Sequence, residues 1–593
     1  MKALRYFFAT LAPLSLLCAC SEMETDVTVA VPRGKAVSFA GENADTRVLL
    51  GSASGKVVPL YWSATDTIRI YSAQTSPTQA DYGVDISSNR STTATLHALS
   101  SDTLRWGSGL HTFTAFVPAT ASDLTLSPDA VHVTLPSVQD CQLGQCNGNL
   151  IYMAAACDDT TAETPQVSLQ FQPIVTLLQI NFQTVEATTL ERVILSADVS
   201  LAGTFDYDLT NSALTSVAND SKVVVLRVVG EDGSQGVACA ANTEYTLYAV
   251  VLAQSEISGL RVDLLTSAGV PGRTISRTLT GGRRYSIDLD KLPSSLSSYS
   301  AKRYSRWMSY LPDDLLLSSL SLPGTHDAAT SSITSTSSKC QSLTLAQQMP
   351  LGVRYLDLRP AGFDNLMIYH SLTSTKVTFD AAIAAIDSFL SANPNEGVIA
   401  QIKYETDNAG NSSTWKSAMG SYLNTSSAYR SRFVGYHAGM TLGELRGKIL
   451  ILSRDEYEGT LVGGYISGWG DNTEDNRSAK IKSTTDSESL WLQDKYEFTT
   501  GTTNKIKYVE AYLDLARDKA ANQWLCSFCS LAYGLKGLTI GTPESNAKTI
   551  NKEVLSYLQQ HPGSTGILLL DFAGDSGASG DALLKEIVNQ NFR

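Results

Sequence analysis

The hydrophobic pattern of this chain changes period near residue 300, and that change limits the folds open to it. Before it, short alternating runs rich in Val, Thr and Ser occur at 57–62, 67–72, 110–116, 131–135, 168–170, 176–182, 223–229, 245–252, 261–265 and 284–289. Turn-forming clusters such as Gly230-Glu-Asp-Gly233 and Thr280-Gly-Gly282 separate them. Many short strands without a helical period predict an all-β half, read as two sandwich modules over 36–160 and 161–292. After it, strand-like runs at 317–322, 354–358, 366–369, 398–402, 449–452, 490–493, 524–527 and 566–570 alternate with helical patterns at 379–392, 414–423, 505–520, 547–561 and 581–589. Eight strands with helices among them predict an irregular (β/α)8 TIM-type barrel over 300–593. The fold class is therefore multi-domain, which 593 residues allow.

Charge and leader narrow the setting. The formal charge of −13 lies mostly in residues 1–300, which hold 18 basic and 28 acidic residues. Nucleic acid is excluded as the main partner, because phosphate binding needs clustered Lys and Arg. Lys2 and Arg5 precede an apolar run at 6–17, which is too short to span a bilayer and reads as a secretory signal. Its end, Leu17-Cys18-Ala19-Cys20, resembles a bacterial lipobox. The expectation is a signal peptide at 1–19, a lipidated Cys20 and a linker to residue 35. The mature chain would be lipid-anchored in the outer membrane of a Gram-negative bacterium and exposed at the cell surface.

The β-rich half presents no cluster of titratable residues, and His97, His111 and His132 are scattered. The second half is different. His326 and Asp327 follow its first predicted strand, Asp357 and Arg359 end the second, and His370 ends the third. Lys403, Arg454, Asp494, Tyr496 and Asp571 stand at the ends of later strands. In a parallel barrel these ends converge on one rim. Two histidines beside a fixed cation suit phosphoryl transfer: one takes a proton from the nucleophile, the other gives one to the leaving group, and Arg neutralises the phosphate.

Two resemblances follow from longer motifs. Tyr61-Trp-Ser-Ala-Thr-Asp-Thr-Ile-Arg-Ile-Tyr71, Leu110-His-Thr-Phe-Thr-Ala-Phe-Val-Pro118 and Leu169-Gln-Phe-Gln-Pro-Ile-Val-Thr-Leu-Leu178 resemble the fimbrillin-like lipoprotein modules of Bacteroidales. That resemblance implies adhesion, pilus-like assembly or a stalk, and it leaves any adhesive partner unknown. Ser321-Leu-Pro-Gly-Thr-His-Asp327, Gly352-Val-Arg-Tyr-Leu-Asp-Leu-Arg359, Asn393-Pro-Asn-Glu396, Gln401-Ile-Lys-Tyr-Glu405, Leu445-Arg-Gly-Lys-Ile-Leu450 and Gln493-Asp-Lys-Tyr496 occur in that order. Together they resemble the bacterial phosphatidylinositol-specific phospholipase C family, in its X-type catalytic domain.

The second resemblance implies a substrate, an inositol phospholipid at a membrane surface, and a role for each residue. His326 would be the general base for the inositol 2-hydroxyl, oriented by Asp571. His370 would be the general acid for the diacylglycerol oxygen, working with Asp327. Arg359, supported by Asp357, would hold the phosphate. Lys403, Arg454 and Asp494 would bind inositol hydroxyls, and Tyr496 would stack on the ring. The products would be diacylglycerol and inositol 1,2-cyclic phosphate. No cofactor is expected, and no metal: calcium-dependent relatives have a carboxylate where Arg359 stands, and a divalent ion needs anionic oxygens. Trp469 and Trp491 are candidates for a membrane-facing rim, with burial in the core the preferred reading for Trp491. The alternative reading is a surface adhesin whose barrel binds inositol lipid or glycan without turnover.

Overall fold

The structure, a computed structural model, describes residues 34–43, 49–50, 60–88, 91–276, 278–291, 303–405, 412–532 and 541–593. Cys20 and the leader before it lie outside them.

Among the described residues the first sandwich expected is instead a closed ring. Its strands are Phe39–Asn43, Thr67–Tyr71, Gln79–Asp85, Thr93–Ala98, His111–Val117, Met153–Thr160 and Val167–Pro173. Phe39–Asn43 closes it by pairing antiparallel with Thr93–Ala98 and parallel with Val167–Pro173, which leaves no open edge. Phe39, Trp62, Phe113 and Phe171 fill the interior, Trp62 edge-on to Phe171 at 5.4 Å.

The chain leaves this ring after Val117 and returns to it at Met153. Ala130–Leu135 pairs with Ala202–Asp208, and Val138–Cys141 pairs with Val223–Val228. These belong to a second unit that is a sandwich. The sheet of Thr188–Ser196, Val223–Val228 and Arg261–Thr266 packs on that of Val175–Gln183, Glu244–Leu252 and Arg284–Lys291, with Ile180, Leu195, Leu226 and Val251 between them. A further cluster, including Phe116, Val133, Tyr152 and Phe205, welds the first ring to the sandwich.

The ring of the C-terminal half is built on nine strands: β1 (Leu322–Thr325), β2 (Tyr355–Leu358), β3 (Val398–Ile402), β4 (Ile449–Ser453), β5 (Gly464–Ser467), β6 (Asn476–Lys482), β7 (Ser487–Gln493), β8 (Trp524–Phe528) and β9 (Ile567–Leu570), and the short strand Phe433–Val434 lies outside it, parallel to β4. The order β3-β2-β1-β9-β8-β7-β6-β5-β4 closes because β4 pairs back onto β3. Eight strands run parallel, and β6 alone is antiparallel to its neighbours. Continuous apolar runs such as Ile449-Leu-Ile-Leu452 suit strands buried on both faces. Gly324 fits β1 closely between its neighbours, since a Cβ there would stand 3.1 Å from Leu569 and 3.2 Å from Tyr355.

Helices α1 (Phe379–Ala392), α2 (Ser412–Ser421), α3 (Gly501–Asp518), α4 (Pro543–Gln560) and α5 (Gly580–Gln590) lie within a few residues of the predicted patterns. In α1, Thr378 caps the first turn by accepting from Ala381 N, and Ile383, Ile386 and Leu390 face inward at helical spacing. In α4, Thr542 is the cap and Pro543 opens the helix, where its missing N–H costs nothing.

Two expectations change. The run 366–369 is not a ring strand: Met367–His370 pairs with Thr373–Thr378 in a separate hairpin. Pro360 bridges Ile368 and turns the chain back just after Arg359. The ring position falls instead to β5, and the first strand lies past 317–322 because Leu317–Ser319 forms a 3-10 turn.

At the strand starts, Arg354 and Glu396 form a fully buried ion pair at 2.6 Å. Glu396 also accepts from Met308 N at 3.2 Å and Ser309 N at 2.8 Å, so both charges are multiply bonded. The core here is continuous with the sandwich, since Ile194, Val223, Val225, Leu265 and Val270 pack with the core of the C-terminal half.

Candidate active site

Successive strands deliver a polar side chain at their C-terminal ends. His326 and Asp327 follow β1, Asp357 lies in β2 and Arg359 just beyond it, Lys403 follows β3, Arg454 follows β4, Asp494 follows β7 and Asp571 follows β9. A cavity of about 720 Å³ opens there, and His326, Arg359, His370, Lys403, Arg454, Asp494, Tyr496 and Asp571 line it. Asp327 and Asp357 are buried behind them, 3% and 1% exposed. All ten residues singled out in this half therefore meet. His370 arrives on the hairpin rather than on a ring strand.

The imidazoles are held at one nitrogen each. His326 Nδ1 donates to Asp571 Oδ1 at 2.7 Å, and its Nε2 stands 3.2 Å from Asp327 Oδ2. His370 Nδ1 donates to the Ser338 carbonyl at 2.7 Å, because a carbonyl only accepts, and its Nε2 lies 3.8 Å from the same Asp327 oxygen. Asp327 thus stands between the two. It reaches this place through a left-handed backbone, φ 44°, which Asp tolerates better than most residues, and Ala328 N is tied to Asp357 O at 2.9 Å.

Arg359 donates from Nε and Nη2 to Asp357 Oδ2 at 3.1 and 2.8 Å, and its Nε lies 3.2 Å from Asp327 Oδ1. Gln401 in turn donates to Asp357 Oδ1 at 3.0 Å. Burial alone would raise the pKa of both carboxyls, but Arg359 and the histidines pull both below the ordinary carboxylate range. Burial likewise opposes charge on His326, yet Asp571 and Asp327 outweigh it and hold the imidazole above its usual 6.5. The site therefore keeps anionic carboxylates, a permanent cation and a histidine of raised basicity.

Residues 320–455 match the family model described as phosphatidylinositol-specific phospholipase C, X domain, and residues 46–299 match the one described as fimbrillin-like. The C-terminal half carries a phosphatidylinositol-specific phospholipase C X domain. A 1-phosphatidylinositol phosphodiesterase of Staphylococcus aureus (strain Newman) is 28% identical over 307 residues, covering 49% of this chain and 95% of the relative. One from Listeria monocytogenes is 29% identical over 306 residues, covering 49% of this chain and 87% of the relative. A solved phosphatidylinositol-specific phospholipase C from Staphylococcus aureus is 26% identical with a TM-score of 0.42, covering 49% of this chain and 98% of that one.

Around the X domain's histidines and arginine, the remaining positions divide by what holds them. Arg454 lies over the Trp469 ring at 3.8 Å, and Trp469 Nε1 donates to Asp494 Oδ2 at 2.9 Å. Trp469 is thus buried support for two cavity residues and not a membrane-facing rim residue. Trp491 is half-buried, under Arg477 at 4.8 Å and packed on a small cluster of Tyr512, Ala516 and Leu525. Tyr496 donates its hydroxyl to Asp471 at 2.8 Å, which fixes the ring on the cavity wall.

Sequence reasoning missed four participants. Asp471 lines the cavity from a loop with no strand-end signal, and Glu405 lines it just past β3, two residues beyond Lys403. Cys340 sits with Sγ 3.8 Å from His370 Nδ1 and 4.0 Å from Asp327 Oδ2, and burial raises its thiol far above the usual value, so it stays protonated. Lys505 is fully buried on α3 and donates to Gln493 Oε1 at 2.9 Å and Lys495 O at 2.7 Å, bracing the turn that bears Asp494 and Tyr496. Burial pushes its amine down to about 8. Its place in a helix gave it the look of a solvated lysine.

His326, Asp327 and Cys340 each offer a ligand atom within 4.8 Å of the others, the one such trio among the described residues. The Arg359 guanidinium beside Asp327 opposes a cation at that point, and burial keeps the thiol from ionising.

Proposed function

We propose that the C-terminal half is a phospholipase C that cleaves phosphatidylinositol, or a glycosylated relative, into diacylglycerol and inositol 1,2-cyclic phosphate without a metal. The observation that carries this reading is His326 held by Asp571 on one nitrogen while its other faces a cavity shared with Arg359 and His370. The inositol 2-hydroxyl gives its proton to His326 Nε2 as its oxygen bonds to phosphorus. The bond from phosphorus to the diacylglycerol oxygen breaks, and His370, with Asp327 beside it, supplies a proton to that oxygen. Arg359 stabilises the charge that gathers on the phosphoryl oxygens. Lys403, Arg454, Asp494 and Tyr496 hold the inositol ring in place for an attack within one molecule, an arrangement that lowers such barriers by ~7–11 kcal/mol.

The eight parallel strands support reading the domain as an irregular (β/α)8 barrel with β6 inserted. The leader pattern supports lipid attachment at Cys20 and an outer-membrane location, with the β-rich half as stalk or adhesive module. The test is incubation of the signal-less protein with labelled phosphatidylinositol vesicles. Release of the cyclic phosphate by the wild type and not by His326→Ala is expected, and equal release by both would overturn the role of His326.

A further inference from the structure

The β-rich half is attached to one end of the C-terminal ring. Asp313, which precedes β1, accepts from Lys222 N at 2.6 Å, and its own N–H donates to Ser221 Oγ at 2.8 Å. Arg446, just before β4, donates to the same carboxylate. Arg303 donates to Glu191 at 2.9 Å, and Phe592, where α5 returns to the strand starts, lies under Arg192 at 5.3 Å. These attachments stand at the N-terminal ends of the parallel strands. The cavity stands at the C-terminal ends.

The units are therefore in series. The core shared by sandwich and barrel takes in no described residue before Ile194, and the first ring meets the sandwich through its own cluster. Among the described residues the sandwich links the first ring to the strand-start end of the barrel, and the mouth opens at the barrel's other end.

The mouth also bears exposed apolar surface. Four large apolar side chains are exposed among the described residues, and two of them belong here: Phe363 just before the His370 hairpin and Leu372 in its turn. Leu372 is 73% exposed, and the Ser371 before it lines the cavity. Phe363 stands edge-on to Tyr369 at 5.3 Å on the same rim. Apolar side chains in this position lose their water contact by entering a lipid interface.

Building on the reading of the site as a phospholipase C, we propose that the chain works in trans: its N-terminal side is held at one surface while the mouth, with Phe363, Tyr369 and Leu372 leading, meets a second bilayer. The substrate lipid then belongs to a membrane other than the one bearing the protein.

The chain from Ser21 onward, with an N-terminal polyhistidine tag, can be bound to vesicles containing nickel-chelating lipid. Labelled phosphatidylinositol is placed either in these carrier vesicles, immobilised singly so that no carrier meets another, or in free vesicles lacking the chelator. Tethering raises the effective concentration of carrier lipid, so a mouth able to turn back would consume it first. Cleavage of the separate vesicles about tenfold faster than of the carriers is expected, against the tether advantage. Carrier lipid cleaved equally or faster overturns the proposal. Release from the chelator with imidazole should let the protein cleave both; no cleavage in that arm overturns the phospholipase reading itself. Leu372→Asp should weaken binding to phosphatidylcholine–phosphatidylinositol vesicles about tenfold in sedimentation, from the apolar burial lost, and unchanged binding removes the hairpin as the contact surface.

Discussion

His326 and Asp571 meet at 2.7 Å although 245 residues separate them in the chain. The contact exists because β1 and β9 are adjacent parallel strands, with Thr325 in register with Leu570. Each residue is the first one past its strand. Ring closure between the first and last strands thus assembles the base and its orienting carboxylate.

The first prediction concerns pH. His326 works as a base only when neutral, and Asp571 stabilises its protonated form, so the acid limb of kcat/KM should fall above pH 6.5. Asp571→Asn removes that stabilisation, and the limb should move to lower pH while kcat drops. A limb that stays in place in this variant would show that Asp571 does not act through the imidazole.

Arg359→Lys should lower kcat by about 10²–10³-fold, the cost typical of removing one donor to transition-state charge. Lysine keeps the charge but loses the planar fork that engages Asp357 while facing the phosphate. Steady-state kinetics on a soluble inositol phosphodiester would check it, and wild-type rates in the variant would refute it.

Chelation should leave activity intact, because Arg359 supplies the positive charge at the phosphate. Assay of the same preparation with EDTA, then with added calcium, tests this directly. Loss on chelation followed by rescue would contradict it.

Glu396→Ala should lower unfolding stability by about 3–5 kcal/mol, since it leaves the buried Arg354 guanidinium without its counter-charge, held only by backbone carbonyls. Denaturant titration would measure the loss. An unchanged midpoint would show that water or a rearrangement takes the carboxylate's place.

Much of the site was legible because strand-end chemistry is local in sequence. Asp357, Arg359, Lys403 and Arg454 each stand at or just past the end of an apolar run that reads as a buried strand, whereas His326 follows Leu322-Pro-Gly-Thr325 and was found through its motif. His370 was found as a residue but set on the wrong element, because Met367-Ile-Tyr-His370 has the composition of a ring strand and only Pro360 hints at the reversal. The strand β5 escaped notice because Gly464-Tyr-Ile-Ser467 is short and half-buried. Trp469 looked like a membrane anchor since tryptophan often serves as one; its stacking on Arg454 depends on contacts no local window contains. In the β-rich half, alternation gave the strands but not their partners, so a closed ring read as a sandwich.

The continuous core beneath the barrel has a practical consequence for anyone who would isolate the enzyme. Cutting the chain near residue 303 would strip Ile194, Val223, Val225, Leu265 and Val270 from the core that they share with the barrel. The excised half would present a sticky patch to solvent, and the intact pair should melt in a single cooperative step. Sandwich and barrel share one core, although their sequences read as two.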